Sequence, residues 1–229
     1  MKDLTVMTFN VQHFENVNTG KIDYDAFAAA IRESGADIVG LNEVYVDQMG
    51  ALAERLGWFS FFAMGCIIGG KPYGNGVLSR LPIKKAEAFT VPDPDPRGYD
   101  GYYETRCVLK CAVDVHGEPL TLLCTHFGLN PDEAENAVGT VLSVTENERC
   151  VLMGDLNLLP GDPILLPIRE KLTDTAPLLG AENLSFPSDA PDRKIDYVFV
   201  TADIGVRAAE IPALVLSDHR PYLAEITFG

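Results

Sequence analysis

Apolar runs and helix-like segments alternate along the N-terminal part of the chain. Residues 4–9 form an apolar run rich in β-branched side chains, which predicts a buried strand ending at Asn10. Residues 24–34 carry apolar side chains three and four positions apart, which predicts a helix. A strand over residues 37–41 and a helix over residues 46–56 repeat this order. The β-α-β-α order predicts helices packed against a sheet.

After residue 58 the pattern changes to strands separated by turns. The aromatic run over residues 58–62 predicts a core strand. Two further runs, residues 105–115 and 120–125, predict a hairpin with His116 in its solvated turn. A helix is predicted over residues 131–144, which begin with a proline. Other short buried strands are predicted over residues 77–79, 150–153, 195–200 and 222–226.

Composition and charge narrow the class of protein. Hydrophobic residues make up 47% of the 229 residues, enough for a sizeable core, and no repeat or linker interrupts them. We therefore predict one domain over residues 1–229. The 33 acidic residues outnumber the 18 Lys and Arg, giving a formal net charge of −15. This charge repels nucleic-acid phosphates, so it disfavours nucleic acid as a partner unless cations intervene.

The cysteines predict buried free thiols rather than a disulfide scaffold or a zinc cluster. Their number, five, is odd, and no two of them form a C-x-x-C pair. The N-terminus has no signal-peptide pattern. The longest largely apolar stretch, residues 58–68, is too short for a transmembrane helix. Together these features predict a cytoplasmic protein.

Four carboxylates stand at the ends of short apolar runs: Glu43, Asp155, Asp196 and Asp218. Burying those runs in sheets would bring the four acids together, at a cost of several kcal/mol unless a cation neutralises them. Oxygen ligands of this kind suit a magnesium-type ion. In the pair Asp218-His219, such a ligand stands beside a potential general base. The pattern predicts a metal-assisted hydrolase.

Six short strings occur in this order along the chain, and four of them contain the four acids: GLNEV, GNGVLSR, THFGL, MGDLN, KIDYVFV and SDHRP. With Asn10 before them, they resemble the motifs of the endonuclease/exonuclease/phosphatase superfamily, which includes DNase I, AP endonucleases of the exonuclease III type, inositol polyphosphate 5-phosphatases, bacterial sphingomyelinases and deadenylases. The resemblance runs from residue 8 to residue 221, almost the whole chain. It implies an α/β fold, a four-layered α-β-β-α sandwich of two packed, mixed and mainly antiparallel sheets flanked by helices.

The resemblance also implies a metal cofactor. Glu43 would ligate Mg²⁺ or Mn²⁺, and Asn10 and Asp218 would bind the ion directly or through water. The ion would act as a Lewis acid while water attacks phosphorus in line with the leaving oxygen.

The same resemblance assigns the catalytic groups. His219 would be the general base, with Asp196 holding its ring. Asn157 and His126 would donate hydrogen bonds to the phosphoryl oxygens, and Asp155 would position the water or assist the leaving group. His126 stands where AP endonucleases carry a tyrosine, a departure that favours the DNase I, phosphatase and sphingomyelinase branches.

Three further residues are candidates for substrate binding. Arg106 offers a fork suited to phosphate, with an ion pair to Glu104 as the structural alternative. Asn75 lies between two glycines and serves equally well as a turn residue. Tyr103 follows a proline-rich loop and could form part of an aromatic wall. His13, three residues after Asn10, could reach the rim of the cleft.

We therefore predict Mg²⁺-dependent hydrolysis of a small-molecule or general phosphodiester or phosphomonoester, by a chain expected to be a monomer. A DNA or RNA nuclease is the alternative, disfavoured because no basic stripe with interleaved aromatic residues is present. Lipid-headgroup hydrolysis is disfavoured because this sequence has no signal-peptide pattern and no long apolar hairpin. The alternative of another class is a catalytically inactive binding or scaffold protein, which would be expected to have lost Glu43, Asp155 or His219.

Overall fold

A computed structural model describes residues 2–145, 149–180 and 183–228 of the chain. The strands, in chain order, are β1 (Lys2–Asn10), β2 (Glu15–Asn16), β3 (Lys21–Ile22), β4 (Ile38–Tyr45), β5 (Phe59–Ile68), β6 (Lys71–Ser79), β7 (Ile83–Thr90), β8 (Cys107–Val115), β9 (Glu118–His126), β10 (Cys150–Asp155), β11 (Thr173–Asp174), β12 (Asp196–Val200), β13 (Ile204–Glu210) and β14 (Tyr222–Phe228). The α-helices are α1 (Tyr24–Glu33), α2 (Val46–Leu56), α3 (Pro131–Val144) and α4 (Leu166–Lys171). Short 3-10 turns occupy Gln12–Phe14, Pro163–Leu165 and Ala176–Leu178.

Two six-stranded sheets form the centre of the molecule. The first has the order β13-β14-β1-β4-β6-β5, and the second has the order β11-β12-β10-β9-β8-β7. Each contains one parallel pair, β1 with β4 in the first sheet and β10 with β9 in the second, among antiparallel neighbours. The predicted mixed, mainly antiparallel sheets are confirmed.

The buried side chains form three clusters that separate four layers. One cluster lies between the two sheets, a second joins the first sheet to α1 and α2, and a third joins the second sheet to α3 and α4. Adjacent residues of a central strand therefore face different cores, as Val6 and Met7 do in β1. Since both faces are buried, the strand reads as a continuous apolar run. The α-β-β-α sandwich is confirmed.

The sheet register carries the polar strand ends to one edge. In the parallel pair of β1 and β4, Asn10 is aligned with Asn42. In the second sheet, Asp155 is aligned with His126 on one side and with Asp196 on the other. Strand alignment alone therefore places residues from distant parts of the chain side by side.

The aromatic run over residues 58–62 does not lie in the core as predicted. Residues 59–68 do form a strand, but β5 is the edge of the first sheet, and Phe59 and Phe61 are 49% and 39% exposed. An edge strand leaves part of each face uncovered, whatever its hydrophobicity. Strands β7 and β13 were not predicted, and they too border their sheets.

The other expectations concern the thiols and the helices. All five cysteines lie in the described part of the chain and are free thiols; four are buried, as predicted, whereas Cys66 is half-buried. Helices α2 and α3 have the predicted bounds, and α1 ends one residue earlier than predicted. Within residues 2–145, 149–180 and 183–228, no helix has the length and apolar character needed to cross a membrane.

Candidate active site

Asn10 joins the two sheets at the edge where the polar strand ends meet. Its side-chain nitrogen donates to Glu43 Oε1 at 3.0 Å and to Asp155 Oδ2 at 3.1 Å. Glu43 belongs to the first sheet and Asp155 to the second, so one amide connects carboxylates from both. The side-chain oxygen of Asn10 accepts from the backbone N–H of Gln12 at 3.2 Å.

The backbone of β4 is irregular where it carries Glu43. The pairing of β4 with β6 shifts register between Leu41 and Val44, and Glu43 has a φ of 60°. A left-handed φ is unfavourable for a non-glycine residue and often marks a functional position. The Glu43 side chain remains 24% exposed. The irregularity therefore gives the site a carboxylate that is open to solvent.

His219 lies between two buried carboxylates. Its Nδ1 is 2.9 Å from Asp196 Oδ2, and its Nε2 is 3.6 Å from Asp155 Oδ2. The ring also packs against Phe186, with 4.7 Å between ring centres. Burial alone would lower the pKa of His219, but the charges of Asp196 and Asp155 raise that pKa to about 10.

The carboxylates themselves are held out of water. Burial raises the pKa of Asp155 to about 7, although His219 acts in the opposite direction. The pKa of Asp218 is also raised, first by burial and then by the neighbouring charge of Glu43. Asp196 Oδ1 is buried and has no hydrogen-bond partner. An excess of buried negative charge with an unpaired oxygen fits a hard divalent cation.

Among the described residues, one group of titratable side chains is close enough to share an ion. Donor atoms of Asp155, Asp196 and His219 lie within 4.8 Å of one another. Because His219 Nδ1 is hydrogen bonded to Asp196, that nitrogen is already engaged.

His126 and Asn157 meet beside Asp155. The side-chain nitrogen of Asn157 is 3.1 Å from His126 Nε2 and donates to the carbonyl oxygen of Phe127 at 3.1 Å. His126 Nε2 is also 3.4 Å from Asp155 Oδ2. Asn157 has a φ of 51°, so it shares the left-handed backbone of Glu43.

Arg106 contacts the other side of the His126 ring. Its Nη1 lies 2.9 Å from His126 Nδ1 and 2.8 Å from Glu104 Oε1. Burial, and next the charge of Arg106, hold the pKa of His126 well below its usual value.

Asn75 and Tyr103, both predicted to bind substrate, have their polar groups occupied within the protein. Asn75 accepts from Asn42 at 2.8 Å and donates to the carbonyl oxygen of Cys107 at 3.0 Å. The Tyr103 hydroxyl donates to Asp132 at 2.8 Å, which holds it against α3. The structure places neither side chain among the clustered carboxylates.

Asn42 also belongs to the site, although it was not among the predicted site residues. Its amide donates to the carbonyl oxygen of Thr125 at 3.0 Å, and its oxygen accepts from the backbone N–H of Asp155 at 3.0 Å. It therefore joins the sheets beside Asn10, with which it is aligned in the pair of β1 and β4. Its place beside Glu43 in the string GLNEV was the available signal.

The support of Asp196 was also missed. Lys194 is buried and donates to the carbonyl oxygen of Asp196 at 3.2 Å, and burial lowers the pKa of this lysine to about 8. The hydroxyl of Ser185 accepts from the backbone N–H of Asp196 at 3.4 Å. Lys194 stands in the string KIDYVFV and could have been found there, whereas Ser185 lies in a loop with no motif.

His13 approaches the site, as its spacing from Asn10 indicated. Its Nε2 is 3.9 Å from Glu43 Oε2. Its ring contacts Tyr45 and Tyr73, with ring centres 5.2 and 5.3 Å away. His13 therefore lies at the rim next to Glu43.

Known structures share this arrangement of sheets over the whole chain. An endonuclease/exonuclease/phosphatase from Beutenbergia cavernae DSM 12333 superposes with a TM-score of 0.81 at 27% identity, covering 100% of this chain and 72% of that one. A mannosyl-6-phosphatase from Bacteroides thetaiotaomicron gives 0.82 at 19% identity, covering 98% and 100%. TDP2 from D. rerio, complexed with a single-strand DNA product, gives 0.76 at 15% identity, covering 99% and 100%. The last two likenesses establish a common fold.

Sequence comparison points to the same group. A search of curated protein sequences returned no significant match. The model of the "Endonuclease/Exonuclease/phosphatase family", however, matches residues 7–219, and that range contains every candidate metal-binding and catalytic residue described above. The chain therefore belongs to the endonuclease/exonuclease/phosphatase family.

Proposed function

We propose that this protein is a divalent-cation-dependent hydrolase of phosphoesters. The observation that carries the proposal is the position of His219, whose ring is held by Asp196 while its Nε2 faces Asp155. An imidazole oriented by a carboxylate is the usual arrangement of a general base.

Glu43, Asn10 and Asp218 would hold Mg²⁺ or Mn²⁺. The Glu43 side chain is 24% exposed, and Asn10 anchors its carboxylate. Asp218 lies close enough for the charge of Glu43 to raise its pKa. A bound ion would supply Lewis-acid polarisation of a phosphoryl oxygen. With the carboxylate charge offset in this way, we expect the pKa of His219 to fall towards the range of a working base.

His219 would take the proton of the attacking water at Nε2, because Nδ1 is used to donate to Asp196. Asp155 faces that nitrogen and would position the water. His126 and Asn157 would donate to the phosphoryl oxygens as negative charge develops on them. His126 suits this role because its low pKa keeps the ring neutral.

We infer that the substrate is a small phosphodiester or phosphomonoester. The net charge of −15 opposes the approach of a polyanion. The likeness to the mannosyl-6-phosphatase extends over nearly the full length of both chains, so no large additional element separates the two folds. A nuclease is the second candidate, and the likeness to TDP2 in its DNA complex is the observation in its favour. An inactive scaffold is disfavoured because Glu43, Asp155 and His219 are all present.

The proposal is tested by measuring turnover on a panel of substrates with Mg²⁺ and with Mn²⁺. The panel contains plasmid DNA, single-stranded DNA, RNA, a phospholipid, and a chromogenic phosphomonoester and phosphodiester. His219→Ala and Asp155→Ala should each lower turnover at least about a hundredfold, as expected for lost proton-transfer or preorganised groups. His116→Asn, in the exposed turn between β8 and β9, is the matched control and should keep full turnover.

Each result has a distinct meaning. Turnover confined to the small esters supports the proposed substrate class, whereas nicking of DNA at low enzyme concentration makes the protein a nuclease. Activity that survives EDTA overturns the cation requirement. Unchanged turnover in a folded His219→Ala or Asp155→Ala variant removes that residue from the mechanism.

A further inference from the structure

The two ring nitrogens of His126 face different partners. Arg106 Nη1 is 2.9 Å from Nδ1, whereas Asp155 Oδ2 and the Asn157 amide nitrogen lie 3.4 and 3.1 Å from Nε2. A neutral imidazole has one N–H and one bare nitrogen, so its partners decide which nitrogen holds the proton.

Arg106 can make only one kind of hydrogen bond. A guanidinium group donates and never accepts, and it stays charged in proteins. Nη1 has two hydrogens, and two acceptors lie within reach of it, Glu104 Oε1 at 2.8 Å and His126 Nδ1 at 2.9 Å. The hydrogen bond to His126 therefore requires a bare Nδ1, which places the ring proton on Nε2.

An acceptor for that N–H group lies next to Nε2. Asp155 Oδ2 is a carboxylate oxygen on the same side of the ring. The Asn157 amide nitrogen donates one hydrogen to the carbonyl oxygen of Phe127 at 3.1 Å, and its second hydrogen competes for a bare Nε2 at 3.1 Å. A charged donor makes the stronger hydrogen bond, so Arg106 prevails over Asn157 in setting the tautomer.

Strand β5 packs closely against the backbone at Thr105 and Arg106 and so holds Arg106 in this position. A Cβ atom on Gly65 of β5 would lie 2.8 Å from the carbonyl oxygen of Thr105 and 3.6 Å from the Cα of Arg106. Only glycine allows β5 to lie so close to this segment. The Arg106 side chain is 12% exposed, and its Nε is buried without a hydrogen-bond partner. Arg106 thus has little surface to offer a substrate.

We propose that Arg106 is a positioning residue that holds His126 as a neutral donor with its proton on Nε2, aimed at the site of the phosphoryl group. The role rests on the proposed phosphoesterase function, and it replaces the direct substrate contact predicted for Arg106 from the sequence. Glu104 takes the second hydrogen of Nη1 and keeps the guanidinium in place.

Histidine side-chain nitrogen NMR on the metal-free protein tests the proposal directly. The wild type should show a bare Nδ1 and a protonated Nε2 on His126. Arg106→Met, which removes every donor, should place a proton on Nδ1 in a measurable fraction of molecules. Arg106→Lys keeps a donor and should restore the bare Nδ1. Arg207→Met, on the edge strand β13 and paired with Glu225, is the matched control and should leave Nδ1 of His126 bare.

Kinetics with the best substrate of the panel separates positioning from substrate binding. Arg106→Met should lower kcat by about 10- to 100-fold, the usual effect of losing a group that orients another, with KM little changed. Arg106→Lys should recover most of kcat. A raised KM with unchanged kcat would show that Arg106 contacts the substrate and would overturn the proposal.

The NMR measurement does not depend on enzymatic activity. A protonated Nδ1 in the wild type, or a bare Nδ1 in a folded Arg106→Met variant, contradicts the proposal even if the enzyme is active. If the wild type hydrolyses no phosphoester but the tautomers change as expected, the proposed function fails while the Arg106–His126 relation holds. Arg106→Lys and the wild-type spectrum remain decisive if Arg106→Met does not fold.

Discussion

At the scale of single residues, the charge of His219 links the site to stability. The pKa of this histidine is raised from 6.5 to about 10, against the effect of burial, by Asp196 and Asp155. A raised pKa in the folded state means that folded molecules bind the proton more tightly than unfolded ones. The resulting stabilisation is complete below about pH 6.5 and is lost as the pH rises through about 10.

We therefore expect the metal-free protein to lose stability as the pH rises from about 7 to about 8. One additional bound proton in the folded state corresponds to about 1.4 kcal/mol per pH unit, and Lys194, whose pKa is lowered to about 8, offsets part of this loss as the pH approaches 8. Urea unfolding at several pH values measures this slope. Asp196→Asn should flatten it, because the first of the two carboxylates that raise the pKa is then neutral. A free energy of unfolding that increases over this range would contradict the raised pKa.

Residue identity alone could not reveal how Glu43 and Asn157 are presented. Both were predicted from motifs, yet their left-handed backbone, with φ of 60° and 51°, depends on the strands that hold them. The partners of His126 were equally hidden, because Arg106 lies twenty residues away in sequence and reaches the ring only through strand pairing.

At the scale of the elements, burial on both faces decided which strands could be predicted. Central strands such as β10 are buried throughout and read as apolar runs. The strands β7 and β13 consist mainly of exposed and half-buried residues and carry charged side chains, so their sequences resemble those of loops. Conversely, the sequence of β5 predicts a core strand although β5 lies at the edge of its sheet, because an apolar run does not indicate whether a strand has one neighbouring strand or two.

Gly154 illustrates how tightly β9 and β10 are packed at the site. Its φ is 154°, and a Cβ atom there would overlap the carbonyl oxygen of Thr125. Gly154→Ala should therefore lower the free energy of unfolding by about 2–4 kcal/mol, from backbone strain and overpacking together. Urea denaturation measures the change.

The matched control for this substitution lies in α3. A Cβ atom on Gly139 would meet nothing within 4 Å, so Gly139→Ala should stabilise the protein by about 0.5–1 kcal/mol through helix propensity. Equal changes in the free energy of unfolding for Gly154→Ala and Gly139→Ala would contradict the close approach of Gly154 to Thr125.

At the scale of the whole molecule, the site is a seam between two sheets. Asn10 and Asn42 connect the sheets by hydrogen bonds, but the buried carboxylates along the same seam repel one another. A cation that relieves this repulsion binds only the folded arrangement, so it should also stabilise the fold.

Mg²⁺ should therefore raise the thermal unfolding midpoint. At a concentration one hundred times the dissociation constant, the gain is about 2.7 kcal/mol for a single site. Glu43→Gln should need more Mg²⁺ for the same shift in midpoint, because a ligand carboxylate is lost. Glu87→Gln, on the exposed strand β7 and paired with Lys85, should titrate as the wild type does. An identical titration for Glu43→Gln and wild type would remove Glu43 from the ligand set.

Local features of the chain predict the buried strands, the bounds of α2 and α3, and the polar residues at strand ends, because helical periodicity and doubly buried strands can be recognised from short segments. The four-layered sandwich was implied by the resemblance to a known family. Three features follow from the folded arrangement and not from any local segment: the edge position of β5, the left-handed backbone at Glu43, and the hydrogen bond that joins Arg106 to His126. These depend on which strands become neighbours, and that choice is made by the packing of the whole molecule.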